Sequence, residues 1–261
     1  MRTSETEWST AIGEVRHGII NVRGYRLSDI IQNLTFSEAI YLTIRGNLPD
    51  KNENRVFNAV LCAILEHGFY APTTVATRVV ASTNPENIIP ALSAGLSTVG
   101  SVTVSPQHTG ELILEALRTG EENGLKGEEL AAVIADRWVK SKKRLPGVGH
   151  PLHPEGDPRA ISLKKVAQEN GIWGEKAEIF EQVRDQFSTL TNRQFPINVD
   201  GAMGMVLSEL GFAPKEMPGI ASMSFLPGMI AHAVEETSGK IKLRVIDGKY
   251  TGEPERGLPH E

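Results

Sequence analysis

Between residues 54 and 68 the chain reads NRVFNAVLCAILEHG, where Val56, Val60 and Ile64 recur every four positions with Phe57, Leu61 and Leu65 beside them. That spacing predicts an amphipathic helix with a broad apolar stripe. Upstream, Thr35-Phe36-Ser37-Glu38 has the form of a capping box, and the helix it starts, AIYLTIRG, is closed by Gly46. Further helical patterns run through TGELILEALRTG, GEELAAVIADRWVKS, PRAISLKKVAQENG, GEKAEIFEQVRDQF, AMGMVLSELG and FLPGMIAHAVEETSG. In DPRAIS, Asp157 suits an N-cap and Pro158 the first helical position. Alternation is scarce: GEVRHGIINVRGY predicts one short hairpin, and KIKLRVIDGKYTG a second that turns at Asp-Gly. Strands do not alternate with helices, which argues for a mostly α protein and against a doubly wound dinucleotide fold.

Three segments break the helical pattern: VTVSPQHTG (102–110), LPGVGHPLHPEGDPR (145–159) and QFPINVDGAMG (194–204). The second packs proline, glycine and histidine too densely for a helix interior, where proline removes a donor and clashes with the preceding turn. It reads either as a surface linker or as a stiffened loop that presents side chains, and loops on rigid scaffolds are where binding groups gather. His150 follows Gly-Val-Gly, whose backbone reaches turns closed to bulkier residues, and an imidazole there exchanges protons near neutral pH. His153, three residues on, invites a metal reading, but no carboxylate or cysteine at ligand spacing completes a set. His108, read as lying just before a helix, is either a polar loop residue or a neutral N–H donor to developing negative charge. Asp200 is either an N-cap carboxylate or, among apolar neighbours, a general acid or base with a raised pKa.

The 261 residues suffice for one large or two smaller cores. The net charge of −5 and the lack of a long basic block exclude a phosphate-tracking nucleic-acid binder. Cys62, the single cysteine, forbids an intramolecular disulfide and reads as a core residue. The polar N-terminal segment MRTSETEWSTAIGEV and the lack of any run near the roughly 18 apolar residues of a membrane span lead to the expectation of a cytoplasmic protein with no membrane partner.

Taken in order, the segments resemble the citrate synthase superfamily, and within it the short citryl-CoA lyase branch. INVRGYRLSDIIQNLTFSEAIYLTIRGNLP is similar to that family's opening, and EHGFYAPTTVATRVVAST to its segment around a substrate-binding histidine, here His67. SPQHTGELILEAL resembles Gly-Pro-Leu-His-Gly-Gly, which makes His108 a catalytic histidine. GVGHPLHPEGDPR resembles Gly-Phe-Gly-His followed nine residues later by the Arg of Asp-Pro-Arg, so His150 becomes the second catalytic histidine and Arg159 a carboxylate-binding arginine. PINVDG is similar to Pro-Asn-Val-Asp, which makes Asp200 the catalytic carboxylate.

The resemblance implies an all-α, citrate synthase-like fold with short terminal β-hairpins. It implies a large dimerisation domain from 1–108 and 212–261, and a small, mobile, CoA-binding domain from 109–211. The assembly would be a homodimer or higher homo-oligomer. It further implies cleavage of citryl-CoA to acetyl-CoA and oxaloacetate, with coenzyme A as part of substrate and product and neither a metal nor a nucleotide redox cofactor. His150 would take the hydroxyl proton, His108 would donate to the enolate oxygen and Asp200 would protonate the carbon. Val148, Gly149, Lys143 and Arg144 fall where CoA would be held. Three departures stand out. Phe225 occupies a position where the family usually carries a substrate-binding arginine. Arg244, with Arg256 as rival, resembles the arginine that reaches a neighbouring subunit's site, but its spacing to Tyr250 is one residue long. Ser105, Gln107 and Thr109 replace small or apolar residues around the first histidine. These leave open a lyase or synthase for a related 3-hydroxyacyl-CoA such as citramalyl-CoA, a citrate or 2-methylcitrate synthase-like enzyme, or a catalytically weak CoA-ester-binding or structural subunit.

Overall fold

The computed structural model describes residues 8–239 and 243–258. The chain opens with three antiparallel strands, β1 (Gly13–Arg16), β2 (Ile19–Val22) and β3 (Tyr25–Arg26), in sheet order β1-β2-β3 with Gly13 opposite Val22 and Arg16 opposite Ile19. Eleven α-helices follow among the described residues. They are α1 (Leu27–Asn33), α2 (Phe36–Arg45), α3 (Lys51–Cys62), α4 (Pro72–Thr83), α5 (Ile89–Leu96), α6 (Pro106–Asn123), α7 (Gly127–Ser141), α8 (Pro158–Glu169), α9 (Glu175–Thr191), α10 (Val199–Glu209) and α11 (Met217–Ser238). This is an all-α architecture with a small sheet at its start.

Local chemistry sets several boundaries where the sequence places them. Thr35 and Glu38 cap each other reciprocally at the start of α2, and Gly46 ends it in the left-handed region at φ 89°. Asp157 caps α8 ahead of Pro158. The N-terminal hairpin is tied down by Arg23, whose guanidinium donates to Thr43 O (2.9 Å) and Ile44 O (3.2 Å) at the C-terminal end of α2, where carbonyls lack helical partners.

Four expectations change. Residues 243–258 contain no strand, while the start of the second expected hairpin, 240–242, lies outside the described residues. Val245, Ile246 and Tyr250 are exposed there, so a hairpin would have no apolar face to pack on, and isolated hairpins are marginal. Cys62 is exposed because it sits about 200° around α3 from Val60, opposite the buried Val56–Val60 stripe. His108 lies inside the first turn of α6, which starts at Pro106. Residues 214–238, which include α11, are long and apolar enough by length and composition to cross a membrane. Met217, Ile220, Ala221, Phe225, Met229 and Ala233 of that helix are nevertheless buried in the protein core.

Two apolar clusters form the interior. The first joins α2, α3, α4, α5, α8, α10 and α11; the second joins α6, α7 and α9 with Leu145 and Met205. Helix α10 belongs to both, with Met203, Val206 and Leu207 in the first and Met205 in the second. Its sequence, VDGAMGMVLSE, is apolar almost all round, as a fully enclosed helix requires. Two glycines let neighbours reach its first two turns. A Cβ on Gly201 would lie 2.1 Å from Gly147 O, and one on Gly204 would lie 2.5 Å from Pro106 O. The loop bearing His150 and the helix start bearing His108 therefore both abut the N-terminal end of α10.

Candidate active site

Asn198 caps α10, accepting from Gly201 N at 3.0 Å, so the cap lies two residues before Asp200 and leaves that carboxyl free of a capping duty. Asn198 also binds the loop beside it: its backbone N–H donates to Gly147 O (3.0 Å) and its amide to Gly149 O (2.9 Å), while Gly149 N donates to Pro196 O (2.7 Å). Gly147 and Gly149 sit at φ 72° and 74°, which only glycine adopts without strain. The loop from 145 to 150 is thus fixed by backbone bonds to the segment that leads into α10.

Two cavities meet at Asp200. One, of about 400 Å³, is lined by His67, Tyr70, Thr73, Val148, Gly149, His150, Arg159 and Phe225; the other, of about 470 Å³, by His108, Glu111, Trp138, Lys143 and Leu145; Arg144, Asn198 and Asp200 border both. Burial pushes the Asp200 carboxyl above the usual carboxylate range. A backbone hydrogen bond from Ser105 and the charges of Arg159 and His108 oppose the shift, while Asp157 adds to it. Such a group holds its proton at higher pH than an ordinary aspartate, as a carbon acid–base catalyst requires.

Asp157, fully buried, shows the opposite behaviour. Burial alone would raise it, but Arg159 grips it through Nε (3.0 Å) and Nη2 (2.8 Å), and the N–H groups of Arg159 and Val199 add bonds of 3.0 Å each, which together hold it below the ordinary range. His150 and His67 are both shifted down, chiefly by burial and then by the Arg159 charge, which favours the neutral ring in each. Leu152 N–H donates to His150 Nδ1 at 3.1 Å. A nitrogen that accepts is bare, so neutral His150 carries its proton on Nε2. As it stands the ring donates, whereas the role expected from the sequence was to receive a proton.

The rings of His150 and His153 stack at 4.7 Å with an interplanar angle of 26°, and His67 meets His150 edge-on at 5.3 Å. Stacked faces do not converge nitrogens on a point, and among the described residues no group of three or more His, Cys, Asp or Glu is placed to hold a metal. Arg244 lies elsewhere. It grips buried Glu236 through Nε (2.5 Å) and Nη2 (3.0 Å), a carboxylate shared with Arg78 at 2.6 Å. Arg256 pairs with Glu253 at 3.6 Å.

The structure thus gathers His67, His108, His150, Arg159, Asp200, Phe225, Val148, Gly149, Lys143 and Arg144 around two joined cavities, while Arg244, expected at a neighbouring subunit's site, pairs with Glu236 of its own chain. Sequence reading missed Tyr70, Asn198 and Glu111. Asn198 was legible, as an Asn three residues ahead of Gly201 has N-cap form. Glu111 was legible as the i+3 partner of His108 once a helix is drawn through both.

A family profile described as "Citrate synthase, C-terminal domain" matches residues 49–245. The chain belongs to the citrate synthase family. Citrate synthase 2 of Bacillus subtilis is 24% identical over 93% of this chain, and the chain spans 61% of that relative's length. The chain spans between 43% and 61% of the length of this and other curated relatives. A structure of citryl-CoA lyase from Hydrogenobacter thermophilus is 30% identical, with TM-score 0.87 over 97% of both chains. A Methanosaeta concilii ATP citrate lyase in complex with (3S)-citryl-CoA shares the fold, with TM-score 0.76 and 20% identity over 97% of this chain and 43% of that one.

Proposed function

We propose that the protein cleaves citryl-CoA to acetyl-CoA and oxaloacetate. The observation that carries this reading is the place of Asp200, a carboxyl biased toward its protonated form where the cavity with His150 and Arg159 meets the cavity with His108. The likeness to a citryl-CoA lyase at 30% identity supports cleavage. The keto-acid half binds at His67, His150 and Arg159. The CoA half enters past Lys143 and Arg144, with Val148 and Gly149 alongside. The expected small domain, 109–211, closes over the cleft and excludes water.

The hydroxyl proton leaves, the C–O bond becomes a carbonyl and the C–C pair moves into the thioester as an enolate. Asp200 then transfers its proton to the carbon. His150 accepts the hydroxyl proton at Nε2 only after its own proton has moved to Nδ1, which requires release of the Leu152 bond. In the condensing direction the ring is already set as donor to the keto oxygen. A preorganised donor to the enolate oxygen contributes about 3 kcal/mol.

The second reading, a related 3-hydroxyacyl-CoA such as citramalyl-CoA, is favoured by Phe225, which lines the first cavity without charge. The test is turnover of synthetic citryl-CoA, with oxaloacetate followed by malate dehydrogenase and NADH, beside His150→Ala. Oxaloacetate release that disappears in the variant is the expected result. No oxaloacetate from folded protein overturns the assignment, and pyruvate from citramalyl-CoA in its place establishes the second reading.

A further inference from the structure

His108 and Glu111 lie one turn apart on α6, and His108 Nδ1 is 2.9 Å from Glu111 Oε2. A carboxylate oxygen only accepts, so the hydrogen of this bond belongs to His108 Nδ1. At His150, by contrast, the same ring atom receives a hydrogen from Leu152 N. The two histidines therefore sit in opposite tautomers, one set by a side chain and the other by the backbone. We infer that Glu111 is a positioning residue that keeps the proton of His108 on Nδ1, so that Nε2 meets the cleft bare while the ring is neutral and as a charged N–H once the ring is protonated.

The inference rests on the proposed lyase reading only for its catalytic consequence. A neutral His108 held this way has no N–H at Nε2 to offer an enolate oxygen. Donation at Nε2 requires imidazolium, whose hydrogen bond to an oxyanion is roughly twice as strong as a neutral one. The charged groups that share its cavity are Glu111 and Glu115 from α6, Asp200 from α10, and Lys143 and Arg144 from the preceding loop. Glu111 is exposed and, among the described residues, its carboxylate has no other hydrogen-bond partner, so its removal leaves no buried charge behind. The sequence Pro-Gln-His-Thr-Gly-Glu thus encodes a His–carboxylate pair in addition to a lone histidine.

The test is ¹⁵N NMR of the His108 ring in intact protein at a pH where the ring is neutral, with His108→Gln to assign the signal. The wild type should carry its proton on Nδ1, and Glu111→Leu should move it to Nε2, while Glu111→Gln keeps the shape of the side chain without the charge. Wild-type protein with the proton on Nε2 overturns the inference whatever the enzyme's substrate. For the consequence, citryl-CoA cleavage by Glu111→Leu should fall about tenfold or more in kcat with KM little changed. A flipped tautomer with unchanged kcat overturns the catalytic role and leaves the lyase assignment standing. Loss of citryl-CoA activity in wild type strikes the assignment and leaves the NMR result to stand by itself.

Discussion

Replacing Gly201 by alanine tests whether the close approach of α10 to the His150 loop holds the site together. The added Cβ would sit 2.1 Å from Gly147 O, 2.9 Å from Ile197 Cγ2 and 3.0 Å from Gly147 C. Ordinary contact begins at 3.4 Å, so the loop backbone has to withdraw by about 1.3 Å. That motion stretches the 3.0 Å bond from Asn198 N to Gly147 O, and Asn198 is also the cap of α10. Overpacking of this kind costs about 1–3 kcal/mol, and the lost bond adds about 1 kcal/mol. For a chain of this length the sum corresponds to a fall of roughly 5–15 °C in Tm. A shift of about 1 Å in a catalytic group also lowers turnover by about 100-fold. Circular-dichroism melting and the coupled oxaloacetate assay read both effects. Gly219→Ala serves as control, since nothing lies within 4 Å of its added Cβ and the site is helical. A Gly201→Ala protein with unchanged Tm and turnover refutes the argument that this contact positions His150.

Three further outcomes follow from the same geometry. Asp200 has a folded-state pKa above its unfolded value, so its contribution is favourable below the unfolded pKa and is lost as pH rises through the folded one. Asp200→Asn should therefore melt higher than wild type at pH 7–8, the gap closing toward about pH 3, while turnover falls at least about 100-fold. Asp157 has the opposite sign: its contribution is present above the unfolded pKa and is lost as pH falls through the lowered folded one. Asp157→Asn should cost about 3 kcal/mol at pH 7 by leaving Arg159 without its partner, and the penalty should shrink in acid melts. Cys62, being exposed, should react with one equivalent of a maleimide in native buffer without change in the far-ultraviolet spectrum; reaction only in denaturant contradicts its placement.

Helices with strong periodicity or clear punctuation were legible along the chain. Helix α7 matches its sequence pattern at both ends, because Gly127 and the Ser141–Lys142 turn bracket an unbroken apolar repeat. Helix α11 was not legible over its full length. The pattern read along the chain begins at Phe225, whereas the helix begins two turns earlier at Met217 and carries Pro227 inside it. Helix α5, IPALSAGL, is almost wholly apolar, so it offers no period to detect. At the site, residue types and order pointed to His108, His150 and Asp200, but proton placement was illegible. That depends on Leu152 N–H and Glu111 Oε2, contacts that exist only once the turn after His150 and the first turn of α6 are folded.

The Asp157-Pro158-Arg159 triplet shows how one short motif performs two duties. Read along the chain, Asp157 caps α8, and it does so. Read across the fold, the same carboxylate binds Val199 N at the start of α10 and holds Arg159 by two bonds. This divides the labour of the two aspartates: Asp157 takes the local cation and backbone donors and stays ionised, and Asp200, left with weaker compensation, is pushed toward its acid form. Arg159 is not exhausted by the pairing. Of five guanidinium N–H groups, the bonds through Nε and Nη2 engage two, and three remain, which the proposed function gives to a substrate carboxylate. A carboxylate that docks there meets an arginine already fixed in orientation, so little side-chain freedom is lost on binding.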